Sequence, residues 1–199
     1  MKPKSWPSQT LRIVIWLSLV CGPGHATIAE RLTLEDMVER SERIVQGRCI
    51  RTWSAWDAER QFIWTHSEIE VLDSLKGAKT TTLLVSEPGG VVDGVGMTVE
   101  GAPRYERGEE LVLFAYRVPN GFWRARGFGQ GKFTIVADPR SGERRVNSEA
   151  HHTVALVEAA RIEGRRGTDL RQLNGMPLEQ FKARVRGLAS ARRNDTPQK

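Results

Sequence analysis

The stretch EPGGVVDGVGMTVEGAPRYERGEELVLFAY, residues 87–116, decides the fold of this chain. It holds six of the 19 glycines and ends in the apolar run Leu111–Tyr116, which predicts a buried strand. Pro88 has no backbone N–H, and Gly89 and Gly90 readily take positive φ. We therefore expect this Pro-Gly-Gly segment to end the strand before it.

The glycines of this stretch allow two interpretations. They could form a loop that lets a ligand approach the backbone, with exposed N–H groups for an anion. They could also form a long crossover with tight turns, which is the commoner outcome for a turn-rich segment. The pattern does not match a phosphate-binding loop, because no Gly-Lys-Ser/Thr follows it. A nucleotide site is not supported.

The segments around this stretch read as short strands between two helices. Thr33, with Asp36 three residues later, predicts the start of a helix that ends near Glu42. Strands at 44–53 and 62–72 form a hairpin across a turn at 54–60, and Gly47 is a possible bulge. Further strands are expected at 80–86, 97–100, 122–127, 132–137 and 143–147, with an Asn-Gly hairpin turn at 118–121 and a helix at 175–188 that has Pro177 in its first turn.

These elements predict a mainly β fold: a small OB-like β-barrel or sandwich with an N-terminal and a C-terminal flanking helix. The structure of residues 148–175 stays open at this point. Three tryptophans and Phe62 gather around the first hairpin. They could form an exposed recognition surface, but aromatic cross-strand packing is commoner. The candidate ligand-binding surface consists of Trp53, Trp56, Trp64, Gly89, Gly90, Gly96 and Arg104.

The first 26 residues have the order of a secretory signal peptide: basic residues, then the apolar run 13–20, then small residues. Gly24 and Ala26 favour cleavage after Ala26, with cleavage after Ala29 as the alternative. The apolar run is too short for a membrane span. A lipid anchor on Cys21 is not favoured by the residues before it. We therefore expect an exported protein, periplasmic or secreted, without a transmembrane segment after cleavage.

The remaining chain has the length of one domain, assigned to residues 27–189, followed by a disordered basic tail at 190–199. Cys49 would be its only cysteine, and its apolar neighbours predict a buried thiol. The net charge is +6, with much of the basic excess as arginine in the last third. That excess could attract an anionic partner, but a solvated helix face and tail explain it better. Nucleic-acid binding is not expected.

No motif for catalysis is evident. His151 and His152 are adjacent, and His66 shares a strand face with Glu68, but neither pair has a further ligand at diagnostic spacing. We predict no catalytic residue, no metal site and no cofactor. An enzyme is the less expected class.

Residues 33–137 resemble a group of uncharacterised bacterial exported proteins. The resemblance is carried by Ile44-Val-Gln-Gly47, by the strand end 71–77, by the Pro-Gly-Gly segment and by Gly-Glu-Glu-Leu-Val-Leu-Phe at 108–114. The same outline is distantly similar to the netrin-like/TIMP OB-fold domains, which implies a five-stranded barrel. Those inhibitors depend on an N-terminal cysteine and disulfides, which a chain beginning at Thr27 lacks, so protease inhibition is not implied.

The sequence thus favours an exported, monomeric β-barrel module that binds an unknown protein or envelope component. A cryptic hydrolase, metal-dependent or not, and an envelope structural protein are the alternatives.

Overall fold

A computed structural model describes residues 31–149 and 167–194, and it is mainly β with two α-helices. The predicted signal peptide with Cys21, the histidines at 151 and 152, and the last five residues lie outside these ranges. The predictions made for them stay predictions.

Helix α1 spans Leu34–Arg40, as the capping box predicts. The Thr33 hydroxyl accepts from the Asp36 N–H, and the Asp36 carboxylate accepts from the Thr33 N–H, so two free donors of the first turn are satisfied. Leu34, Met37 and Val38 are buried on one face of the helix. This face covers part of the sheet.

Strands β1 (Arg43–Trp56) and β2 (Ile63–Lys76) form the predicted antiparallel hairpin, but the turn lies later than residues 54–60. Pairing continues to the pair Trp56–Ile63. The Asp57 carboxylate then accepts from the N–H groups of Gln61 and Phe62 and fixes the turn. The register shifts between Gln46 and Gly47, which confirms the predicted irregularity.

Strand β3 (Thr82–Pro88) ends at the Pro-Gly-Gly segment, as predicted. A small hairpin that the sequence analysis missed follows it: β4 (Gly90–Val92) pairs with β5 (Val95–Met97). The predicted extended piece at 97–100 is therefore wrong in position, because the strand ends at Met97. Asp93 and Gly94, both with positive φ, make the turn between the two strands.

The remaining strands are β6 (Glu110–Arg117), β7 (Trp123–Ala125), β8 (Lys132–Ala137), β9 (Arg144–Ser148) and β10 (Met176–Pro177). Strand β1 pairs with both β2 and β6, and β6 pairs with β7 and β8. Strand β3 pairs with β7 in parallel through Val85 and Trp123 alone. Strand β9 pairs with β8 and β10.

Two apolar clusters pack on either side of β1 and β6. One contains Cys49, Ile69 and Val85, and confirms the buried thiol. The other lies beneath α1 and helix α2 (Leu178–Asn194), with Phe181 at its centre. Helix α2 begins after Pro177 and continues to Asn194, so it includes the first five residues of the segment predicted as a tail. None of the helices in the described ranges is long and apolar enough to cross a membrane.

Candidate ligand-binding site

Five of the seven predicted surface residues line one cleft. Its volume is about 430 Å³, and it is bounded by β1, β2 and the segment from Glu87 to Tyr105. We call it the polar cleft. The five residues are Trp53, Gly89, Gly90, Gly96 and Arg104.

Hydroxyl groups line the β1–β2 wall of the polar cleft. Ser54 and Thr65 share a hydrogen bond of 2.9 Å, and the Thr65 hydroxyl donates to the Gly89 carbonyl at 2.6 Å. Gly90 packs directly on this pair: a Cβ there would lie 2.4 Å from Ser54 Oγ, and its φ of +141° disfavours other residues. The glycine therefore allows the β4–β5 hairpin to close against the hydroxyls.

Glu87 is a buried carboxyl in the wall of the polar cleft. Only 3% of the residue is exposed, and its Oε1 accepts from the Ala125 N–H at 2.7 Å. It forms no ion pair with the part of the chain that the structure describes. Burial raises the pKa of Glu87 to about 8, against smaller lowering effects of the Ala125 N–H and Arg124. The carboxyl is therefore protonated at neutral pH and can donate a hydrogen bond to a ligand.

Tyr105 is the second buried polar group of this cleft. Its hydroxyl makes no hydrogen bond of normal geometry, but it lies near enough to the Glu87 carboxyl to lower the pKa of that group, and burial raises the pKa of the phenol. The ring lies 5.1 Å from Lys132 Nζ. That ammonium is itself fully engaged, because it pairs with Glu109 and Glu149 at 2.7 Å each. The phenol and the carboxyl are therefore two buried polar groups that lie side by side in the wall of the polar cleft.

A second cleft adjoins the first. We call it the aromatic cleft; its volume is about 440 Å³. It shares Glu87, Pro88 and Val99 with the polar cleft. Its other lining residues are Phe62, Trp64, Tyr116, Arg124, Ala125, Gly127 and Phe128.

The three predicted tryptophans thus do not line one common cleft. Trp53 lines the polar cleft, Trp64 lines the aromatic cleft and Trp56 lines neither. Trp53 also packs across the strand pair against His66, with ring centroids 5.4 Å apart, and His66 packs on Phe122 at 5.1 Å. The two interpretations of the aromatic hairpin are therefore compatible, since one ring packs across the strands and still borders a cleft.

Sequence reasoning missed Glu87, Tyr105 and Arg124. Glu87 follows Leu83 and Val85 at alternate positions of β3, and all three are buried. That alternation was a signal for an inward carboxyl. Its position next to Pro-Gly-Gly favoured a place in the strand-breaking segment instead. Tyr105 and Arg124 had no comparable signal, because their positions depend on how distant segments pack.

The histidine considered for metal binding lies apart from other ligands. Within residues 31–149 and 167–194, no group of three or more His, Cys, Asp or Glu side chains could hold a metal ion. His66 Nδ1 is buried without a hydrogen-bond partner, and burial lowers the pKa of this imidazole.

Comparison with protein-family models, with curated proteins and with solved structures found no match to this chain.

Proposed function

We propose that the protein is an exported binding module whose ligand occupies the polar cleft. The observation that carries this proposal is the convergence of Trp53, the glycines of the 89–96 segment and Arg104 on one concave site with two buried polar groups. Concave sites with a few convergent polar groups and a perturbed carboxyl are the usual places for ligands.

We also propose that the module is an OB-like β-barrel. The supporting observation is that the pairings run from β1 to β2, β3, β7 and β6, and then return to β1. A sheet whose pairings return to the first strand has the connectivity of a barrel, which removes exposed strand edges. Export is supported by the order of residues within 1–26 and gives the module an envelope or extracellular ligand.

The test is native mass spectrometry on protein purified from the envelope fraction of its own host. Wild type, Trp53→Ala and Trp56→Ala are compared. Trp56 is the matched control, because it is a half-buried tryptophan of the same strand that lines neither cleft. We expect wild type and Trp56→Ala to carry the same added mass, and Trp53→Ala to have lost it.

Two results would contradict the proposal: wild type without any added mass, or the same added mass on all three proteins. The same spectra test export. A polypeptide mass that begins at Thr27 or Glu30 supports cleavage, whereas a mass that includes Met1 speaks against it.

A further inference from the structure

The aromatic cleft differs in character from the polar cleft. Four aromatic side chains line it, and one of them, Phe62, is 50% exposed. An exposed phenylalanine beside a concave apolar wall is unfavourable in water and becomes favourable when a ligand covers it. The volume of about 440 Å³ lies within the range of sites for small molecules.

Arg124 supplies the charge of the aromatic cleft. Its guanidinium carbon lies 4.5 Å from the centre of the Trp64 ring, and its Nε is buried without a hydrogen-bond partner. No carboxylate of the described chain forms an ion pair with it. Glu87, in the wall of the same cleft, accepts from the Ala125 N–H and interacts with Arg124 only at longer range, where the arginine lowers the pKa of the carboxyl by less than burial raises it. The cleft therefore contains a guanidinium that makes no direct ion pair with the described residues.

The backbone next to this cation is strained. Phe128 has a φ of +58°, a region that bulky side chains rarely adopt. The preceding residue, Gly127, also has positive φ. Both residues line the cleft. Strain of this kind persists where the surrounding structure requires it, and it concentrates at ligand sites.

We propose that the aromatic cleft binds a small apolar carboxylate, whose body packs on Phe62, Trp64 and Phe128 and whose carboxylate pairs with Arg124. A guanidinium beside an apolar wall suits this chemistry, since it forms a forked pair with a carboxylate while the wall excludes water from the pair. The proposal does not depend on occupancy of the polar cleft.

The test is isothermal titration with two probes of the same shape, 3-phenylpropanoate and its neutral amide. Wild type, Arg124→Gln and Arg51→Gln are compared after their folding has been checked by circular dichroism. Arg51 is the matched control: it lies over Trp53 at 4.4 Å, in the same arrangement as Arg124 over Trp64, but outside the aromatic cleft.

We expect wild type and Arg51→Gln to bind the acid about tenfold more tightly than the amide. Arg124→Gln should lose this preference while its affinity for the amide is unchanged. If Arg124→Gln does not fold, Arg124→Lys replaces it, and it should retain only part of the preference because the ammonium is not forked. Equal affinity of wild type for the two probes, no binding of either, or a full preference in Arg124→Gln would overturn the proposal.

Discussion

Replacing Glu87 with glutamine should make the protein more stable at pH 8 and leave its stability at pH 4.5 nearly unchanged. Glutamine has the size of glutamate, and its amide oxygen can still accept from the Ala125 N–H at the 2.7 Å position. The substitution removes only the ionisation. The difference in the free energy of unfolding between the two proteins therefore measures how much the ionisable carboxyl of Glu87 destabilises the folded state at a given pH.

The magnitude follows from the two pKa values. The carboxyl has a pKa of about 8 in the folded protein, against an ordinary value of 4.5. Between these values the unfolded chain loses the proton while the folded chain keeps it, so stability falls by about 1.4 kcal/mol per pH unit. Above pH 8 both states are ionised and the loss stops, at a ceiling of about 5 kcal/mol. That is a large share of the stability of an ordinary domain.

The assay is urea unfolding followed by tryptophan fluorescence at pH 4.5, 6 and 8, with Glu70→Gln as the control. Glu70 is an exposed carboxyl on β2. We expect the difference between Glu87→Gln and wild type to grow steadily with pH, and Glu70→Gln to follow wild type. A difference that is the same at all three pH values would refute the assignment of the raised pKa to Glu87.

Three further predictions concern stability and use the same unfolding assay. Gly47→Ala should lower the free energy of unfolding by about 1–3 kcal/mol, because its Cβ would lie 2.5 Å from Ile69 Cγ2. Gly187→Ala, with open space on helix α2, should raise it by up to about 1 kcal/mol. Equal effects of the two substitutions would contradict this prediction. Lys132→Met should lower the free energy of unfolding by about 3 kcal/mol, because it leaves the carboxylates of Glu109 and Glu149 without their cation. An unchanged free energy of unfolding would contradict this. Phe181→Ala should cost about 3–5 kcal/mol by opening a cavity between Phe114 and Phe133, and a loss below 1 kcal/mol would mean that the core closes around it.

Much of the fold could be predicted because its signals are local. The capping box at Thr33, the turn at Asn120-Gly121 and the apolar run of β6 each involve residues close in sequence. The β4–β5 hairpin also has a local signal, the Asp93-Gly94 turn between apolar residues, and the prediction overlooked it. No local pattern reveals where this hairpin packs, because that depends on the contact of Gly90 with Ser54 and Thr65.

The candidate site could be predicted only in part for the same reason. Glycines and tryptophans mark turns and aromatic surfaces by their identity alone, so the sequence indicated Trp53 and the 89–96 segment. The chemistry of Glu87 depends on burial by a strand that lies nearly forty residues away, since its partner is the Ala125 N–H. The alternation of Leu83, Val85 and Glu87 could indicate that the carboxyl faces inward, but only the tertiary structure shows what it bonds to there.

The hydrogen bond between Glu87 and Ala125 also has a mechanical consequence. Strands β3 and β7 meet through a single residue pair, Val85 and Trp123, whereas β1 and β2 share twelve. Two residues beyond that pair on each strand, the Glu87 side chain reaches across to the Ala125 N–H. The Glu87 side chain thus joins β3 to β7 at a position where backbone hydrogen bonds would normally continue the pairing. The exchange of the Ala125 amide proton with deuterium, followed by NMR, therefore measures how often β3 and β7 separate at this position.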